Sequence, residues 1–523
     1  MKKISAAVDR AIALMRQGLL FLVSDQGLYL FTAFLFGTVF NSRIFQWYSE
    51  IVNVLSSYAV IPWGVALCVL RLRRADVRDL RSADTGLLTL LLLWLVVPFF
   101  IRYGATFNNV TSWNSHCVLF FAVYALTRED APHRRAAMLD RVCALFAVLS
   151  VVAGAALLYA AWTLRAFGPG TRDWTFGIFD SSLCAGYDRN SLGMNATCCL
   201  MMCIVGVCRR KSLVGKLAHA VPAVMMLVVV VLTQSRASRY AVLLALAAGT
   251  YGAVAASRLA GKGAVRHAAG IACAVFVLLA GYIAAGRLTD AAVAHYTSVQ
   301  QSRLAQAAAS ATAAPEQIPE TAAPAASAAP EQIAETAAPE LPAQAAPVVA
   351  VNPSPTPVKF AARVAVDSTL NDRTNLWKNL FAFWRENPKY MVIGLGTGRI
   401  GRIIAPGTSH EWKGTAAVHN GFLQFAADYG LIGLALLLAF FLSVLRPVLR
   451  VFFARGESAY PGGRALCMLV IAVLANAMVE TPPLAAMSPM NMLLFYALAI
   501  LCAQGRGERR GTERLVKALP AVV

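Results

Sequence analysis

Residues 416–441 read AAVHNGFLQFAADYGLIGLALLLAFF, and the change of character halfway along this stretch decides the fold. Asn420, Gln424 and Asp428 follow one another at i, i+4 and therefore share one face of a helix, with His419 turned about 100° from Asn420. From Leu431 onward the residues are apolar. A helix that starts in a polar setting and runs into hydrocarbon reads this way, so the polar stripe is expected to border a membrane surface. Outward from this stretch the same apolar signal recurs near 20–40, 51–70, 84–101, 112–126, 142–164, 191–208, 217–234, 239–256, 268–286, 465–481 and 487–504. A hydrocarbon core roughly 30 Å thick needs about 20 apolar residues per helix. With 419–445 these runs give about twelve spans, an all-α polytopic integral membrane protein.

Composition agrees. Of the 523 residues, 58% are hydrophobic and 14% charged, with a mean hydropathy of +0.59, too apolar for an ordinary soluble domain. The net charge of +20 would suit nucleic acid, but the cations sit in short blocks between apolar runs, which argues for membrane topology and against a nucleic-acid partner. Of 47 Lys and Arg, 29 fall in the N-terminal segment, the loops near 71–82, 127–141, 209–216, 257–267 and 446–464, and the C-terminal tail. The intervening short loops hold seven: Arg43, Arg102, Arg165, Arg172, Arg189, Arg236 and Arg239. The positive-inside rule then puts both termini in the cytoplasm and the long loop outside. The expected organisation is an N-terminal bundle of about nine helices over 1–286, a large outside loop over 287–418, about three helices over 419–505, and a basic tail over 506–523. The opening residues 1–17 resemble the basic start of a signal peptide but lack a convincing cleavage site, which favours an interfacial helix.

Within the outside loop, residues 299–358 are rich in Ala, Pro, Glu and Gln, and AAPEQIPETAAP at 313–324 recurs as AAPEQIAETAAP at 328–339. So little apolar surface predicts a flexible surface tether. Order returns with DSTLNDRTNLWKNLFAFWRENPKY, where Leu370, Trp377, Leu380, Phe381 and Trp384 predict an amphipathic helix over about 372–386. The following GLGTGRIG contains a formal GxGxxG at 396–401, but no βαβ unit surrounds it, so it reads as a loop. Nearly all of the 11 cysteines lie in apolar runs, only Cys184 falls in an outside loop, and no structural disulfide is implied. Cys198, Cys199, Cys203 and Cys208 lack zinc-site spacing and read as core-filling residues.

The chemistry-bearing residues gather on the outside. Arg236 and Arg239 stand three apart in TQSRASRY at 233–240, where a span begins; arginines are scarce in the short outside loops, so the pair points to an anionic ligand as readily as to snorkelling. Arg373, and Arg189 in YDRNSLG, are further outside arginines near the membrane. His419 can act as an acid, a base or an interfacial hydrogen-bonding residue. Glu480 is a weaker alternative base, and His410 and Glu411 read as loop residues.

At these residues a family resemblance emerges. HNGFLQFAADYGLIG resembles the histidine-asparagine, glycine-punctuated signature of O-antigen ligases and the related O-antigen polymerases. SRAS at 235–238 is similar to that family's Ser-Arg motif before a span, and DRTNLW followed by NPKYMVIGLGTG is similar to its Arg-x-x-x-Trp, Pro and Gly-x-Gly region. The resemblance extends over about 185–445 and is strongest in its last 80 or so residues. It implies a C-type glycosyltransferase of the bacterial inner membrane, with a large periplasmic loop, that moves a finished glycan from undecaprenyl diphosphate to a sugar of lipid A-core at the periplasmic face. The implied partners are the lipid-diphosphate donor, the lipid A-core acceptor and membrane lipids. His419 becomes the general-base candidate, Arg236, Arg239, Arg373 and Arg189 the diphosphate-binding set, and Asn420 and Gln424 the supporting polar face. No outside Asp-x-Asp is present, so metal independence is expected, and the activated donor needs no ATP or other cofactor.

Three rivals share some of these features. An O-antigen polymerase uses the same donor class with a lipid-linked glycan as acceptor, and a protein O-oligosaccharyltransferase would use a Ser or Thr hydroxyl. A transporter should show a repeat between halves and charges at mid-membrane. The sequence offers neither: its spans are almost uncharged.

Overall fold

The computed structural model describes residues 82–102, 113–165, 176–179, 182–185, 189–257, 263–313, 368–397, 418–454, 460–480 and 488–518, with isolated residues and short helical pieces elsewhere, among them 12–18 and 62–66. Most of the expected spans near 20–40 and 51–70, most of the repeat-bearing tether, and His410 and Glu411 lie outside the described residues. The other ten expected spans each fall on a helix. In chain order these are α1 (Ala83–Arg102), α2 (113–129), α3 (Pro132–Thr163), α4 (Arg189–Arg209), α5 (Leu213–Leu232), α6 (Arg236–Ala256) and α7 (Ala264–Ala313). Two helices of the loop follow, α8 (Ser368–Glu386) and α9 (Pro388–Ile393), and then α10 (Gly421–Phe452), α11 (Gly463–Ala477) and α12 (Pro489–Ala518). Among the described residues six helices, α3 to α7 and α10, are long and apolar enough to cross a membrane, and three shorter apolar stretches accompany them. The protein is therefore an all-α membrane protein, with one departure among the described residues: an antiparallel hairpin of β1 (Phe176–Phe179) and β2 (Ser182–Ala185), which buries Cys184.

Most of α4 is buried, and Cys198, Cys199 and Cys203 fill the core between it and its neighbours, Cys203 lying 3.6 Å from the Ser150 hydroxyl. At the opposite extreme, the apolar part of α7 has almost no buried residue, as suits a helix at the rim of a membrane bundle. This helix also departs from expectation, since it runs on to Ala313, well past the predicted end of its span at 286 and through the start of the alanine-rich segment. Alanine is the strongest helix former, and no proline interrupts the chain before Pro315. The extension rests on the end of α3: His295 stacks on Trp162 at 4.5 Å between ring centres, and Arg303 donates to the carbonyls of Thr163 and Leu164.

Helix directions define two ends of the bundle. Arg209, closing α4, donates to the Pro461 carbonyl beside the start of α11 (3.1 Å), so the two helices run antiparallel and the start of α4 lies level with the end of α11. In α6, Gly249 meets Met468 and Gly252 meets Phe452 so closely that neither has room for a Cβ. Small residues at such crossings let membrane helices approach. The start of α6 thus lies at the end of the bundle away from Phe452, as does the start of α10, whose capping residue Asn420 donates to the Met478 carbonyl at 2.9 Å.

The stretch that decided the fold is two helices joined at a break. Gly430 has φ 74° and ψ 173°, outside helical values, although the sequence predicts an unbroken helix here. The break frees carbonyls of the preceding turn, and the loop after α9 takes them: Leu395 donates to the Ala427 carbonyl at 2.9 Å and Gly396 to that of Asp428 at 2.8 Å. Gly394 and Gly396 have positive φ, and a Cβ on Gly394 would stand 2.4 Å from the Asp428 oxygen. Gly394 and Gly396 therefore fit a loop against a broken helix. Leu380, Trp384, Leu395, Ile400, Val418, Ala426 and Ala427 form a small separate core that holds α8, α9 and the loop on the first part of α10.

Candidate functional site

His419 sits immediately before the cap of α10 with φ 52°, a left-handed conformation that a non-glycine residue adopts only when its surroundings compel it. Those surroundings are visible on both sides. The Asn420 side chain accepts from the amides of Phe422 and Leu423, both at 3.0 Å, the standard N-cap arrangement. The Val418 amide donates to Gln424 Oε1 at 3.1 Å, and the Val418 carbonyl accepts from Trp377 Nε1 at 2.8 Å. Gln424 then donates to Asp428 Oδ1 at 3.0 Å. The predicted polar stripe is therefore present but turned inward: Asn420, Gln424 and Asp428 are buried, and the first two tie down the backbone around His419.

The side chain that gathers the site is Glu480, just past the end of α11. Its carboxylate is buried, and its two oxygens are divided: Oε1 accepts from Arg373 Nη2 at 2.6 Å, and Oε2 lies 3.2 Å from His419 Nδ1. Arg373 and Trp377 are i, i+4 on α8, so one helix face sends a guanidinium to Glu480 and an indole to Val418, on either side of the histidine. His419 itself keeps 42% of its side chain exposed. The Arg-x-x-x-Trp spacing and the histidine segment are thus one constellation in space. The sequence offers Glu480 only as a weaker alternative base and does not reveal its contacts to Arg373 and His419. The signal available was an acid standing alone at the end of a nearly uncharged span, where an ionisable residue is retained for a reason.

The other predicted arginines stand at the same end of the bundle, on neighbouring helices. Arg236 opens α6 after a turn that mirrors the histidine segment: Gln234 is left-handed with φ 51°, and Ser235 caps the helix by accepting from the Ser238 amide. Arg189 opens α4, and four residues on, Gly193 packs against this turn; a Cβ there would stand 2.7 Å from Ser238 Oγ and 3.0 Å from Ser235 Cβ. Arg236 is exposed and Arg239 half-buried, and among the described residues Arg239 Nε is buried without a hydrogen-bond partner. Neither forms an ion pair among the described residues. Three helix N-termini, those of α4, α6 and α10, therefore open at the end that holds Arg189, Arg236, Arg239, Arg373 and His419, and helix N-termini favour anions. The structure joins Arg373 and His419 through Glu480; it leaves Arg189, Arg236 and Arg239 on the adjoining helices, without a bond to that trio among the described residues.

Among the described residues no group of three or more His, Cys, Asp and Glu is placed to hold a metal. Residues 221–438 match the protein family described as O-antigen ligase, in agreement with the resemblance carried by SRAS, DRTNLW and HNGFLQFAADYGLIG. The matched stretch contains Arg236, Arg239, Arg373 and His419 and excludes Arg189 and Glu480. No curated protein matches the chain.

Proposed function

We propose that this chain, which carries an O-antigen ligase family domain across residues 221–438, transfers a glycan from undecaprenyl diphosphate to a hydroxyl of lipid A-core at the periplasmic face of the bacterial inner membrane. The observation that carries this reading is the gathering of arginines, helix N-termini and a histidine at one end of a membrane bundle. The positive-inside count assigns that end to the periplasm, because the short loops opening there are the cation-poor ones.

The chemistry follows from the groups present. The acceptor oxygen attacks the anomeric carbon, the bond from that carbon to the phosphate oxygen breaks, and its electron pair leaves with the lipid diphosphate. His419 takes the hydroxyl proton. Arg236, Arg239 and Arg189, with the spare N–H groups of Arg373, neutralise the charge that grows on the diphosphate. Guanidinium groups remain protonated and bind phosphate oxygens in pairs, so they do what a metal ion does in other phosphate-leaving reactions, and no cofactor is required. The donor is already activated, which removes any need for ATP.

Deleting the gene tests the reading: lipid A-core should lack O-antigen while lipid-linked polymer accumulates. Core bearing a single repeat unit would instead identify a polymerase, and an unchanged lipopolysaccharide with unglycosylated proteins would identify a protein glycosyltransferase. Reporter fusions that put Arg236 and His419 on opposite sides of the bilayer would overturn all three.

A further inference from the structure

The 476–480 segment is fastened to the start of α10 at several points. The Glu480 amide donates to the Asn476 carbonyl at 2.8 Å, and Asn420 Nδ2 holds the Met478 carbonyl. At Gly421 a Cβ would stand only 3.2 Å from the Ala477 oxygen and 3.3 Å from that of Glu480, so the two backbones meet with no side chain between them. The carboxylate is therefore delivered to one place, with 4% of its side chain exposed. One oxygen is engaged by Arg373, a group that can only donate. The other faces His419 Nδ1.

From this geometry we infer that Glu480 is a positioning residue that selects the His419 tautomer, holding the proton on Nδ1 so that Nε2 presents its lone pair to the acceptor hydroxyl. The inference rests on the proposed role of His419 as base and extends it to a residue outside the matched family stretch. A carboxylate paired with a guanidinium accepts hydrogen bonds and gives none, so Nδ1 must be the donor. A neutral imidazole with its proton on Nδ1 can accept a proton only at Nε2. Second-layer carboxylates commonly fix imidazoles in this way. Arg373 then has two tasks: one amine holds Glu480, and its remaining N–H groups are available to the diphosphate.

The substitution Glu480→Gln separates this from a purely structural role. Arg373 has no acceptor, so it takes the amide oxygen and leaves the amide NH₂ facing Nδ1. That contact requires Nδ1 to accept, which moves the proton to Nε2 and removes the base. The experiment uses the full-length chain in lipid nanodiscs with ¹⁵N-labelled histidine, His419 being assigned by its absence from His419→Ala. The wild type should show the Nδ1–H signature and Glu480→Gln the Nε2–H signature. Glycan transfer by Glu480→Gln should fall about a hundredfold in kcat with the donor KM within about twofold. Glu480→Asp, which keeps the charge but retracts it by one methylene, should keep the Nδ1–H signature and recover about tenfold of the lost rate. An unchanged ring signature in Glu480→Gln, with or without loss of transfer, overturns the inference and leaves the proposed function standing. Should Glu480→Gln fail to fold, an Nε2–H signature in Glu480→Asp has the same effect. Wild-type transfer by His419→Ala instead overturns the proposed role of His419 as base, whatever the ring signatures show.

Discussion

The two ends of the bundle treat their arginines differently. At the end away from His419, Asp84 is fully buried and takes Arg128 at 2.5 Å on one oxygen and Arg506 at 2.8 Å on the other, while Tyr124 donates to it as well. Arg209 is bidentate on Asp140, at 2.8 and 3.0 Å, and Arg464 donates to the carbonyls of Phe452 and Ala454. These guanidiniums are matched by the protein itself. At the His419 end Arg236 and Arg239 have no ion pair among the described residues, and Arg373 shares its one carboxylate with a histidine. Charge that is satisfied internally joins helices; charge left in excess, among helix N-termini, is available to an anion from outside. On the proposed reading, the same residue type has a structural use at one end and a binding use at the other.

The largest effects expected are at the unsatisfied end. His419→Ala and Arg236→Ala should each lower transfer by about a hundredfold or more, with expression and membrane insertion unchanged. Lipopolysaccharide profiles of complemented deletion strains measure this, and wild-type transfer in either variant removes that residue from the mechanism. At the satisfied end the outcome should invert. Arg128→Met leaves the buried Asp84 with one guanidinium instead of two and should cost about 3 kcal/mol of stability. Transfer per folded molecule should stay near wild type. Thermal unfolding in detergent, scored beside transfer, checks both halves, and a variant that unfolds normally yet loses transfer would collapse the distinction between the ends.

Much of this contrast is legible in the amino-acid sequence. Apolar runs locate ten of the helices, and the scarcity of cations in short loops singles out Arg236 and Arg239. The break at Gly430 is not legible, because a glycine inside an apolar run reads as helix until the loop that accepts its freed carbonyls is known. Nor is the inward turn of Asn420 and Gln424, since periodicity fixes which residues share a face but not which way that face points. Glu480 escapes for a related reason: its partners Arg373 and His419 are 107 and 61 residues away, and no local spacing reports such a meeting. The extension of α7 is hidden by composition, since alanine-rich sequence with prolines reads as a tether although its proline-free part is a good helix.

A subtler change sharpens the comparison without removing any charge. Gly193→Ala would drive a Cβ into Ser238 Oγ and Ser235 Cβ, displacing the cap from which Arg236 and Arg239 project. Transfer should fall about tenfold through a raised donor KM, with little change in stability. Adding Ser238→Ala removes the closest clash and should restore most of the loss. Steady-state kinetics on the single and double variants decide this, and a single variant as active as wild type would mean that the turn does not position the arginines.

The smallest effect should come from the segment most unusual in sequence. The α7 helix runs to Ala313, supported along the end of α3 by His295 and Arg303, and α8 begins at Ser368. Removing residues 314–339, which carry most of the paired repeat, shortens the chain between these two anchors and touches none of the residues that hold His419, Arg373 or Glu480 in place. The closure cost of such a segment depends only weakly on its length, so ends that remain spanned should feel little change. Transfer should stay within about twofold of wild type. An abolished activity, with α8 still packed as judged by protection of the Trp377 region from proteolysis, would make the repeat part of the site and extend the unsatisfied end beyond the helices described.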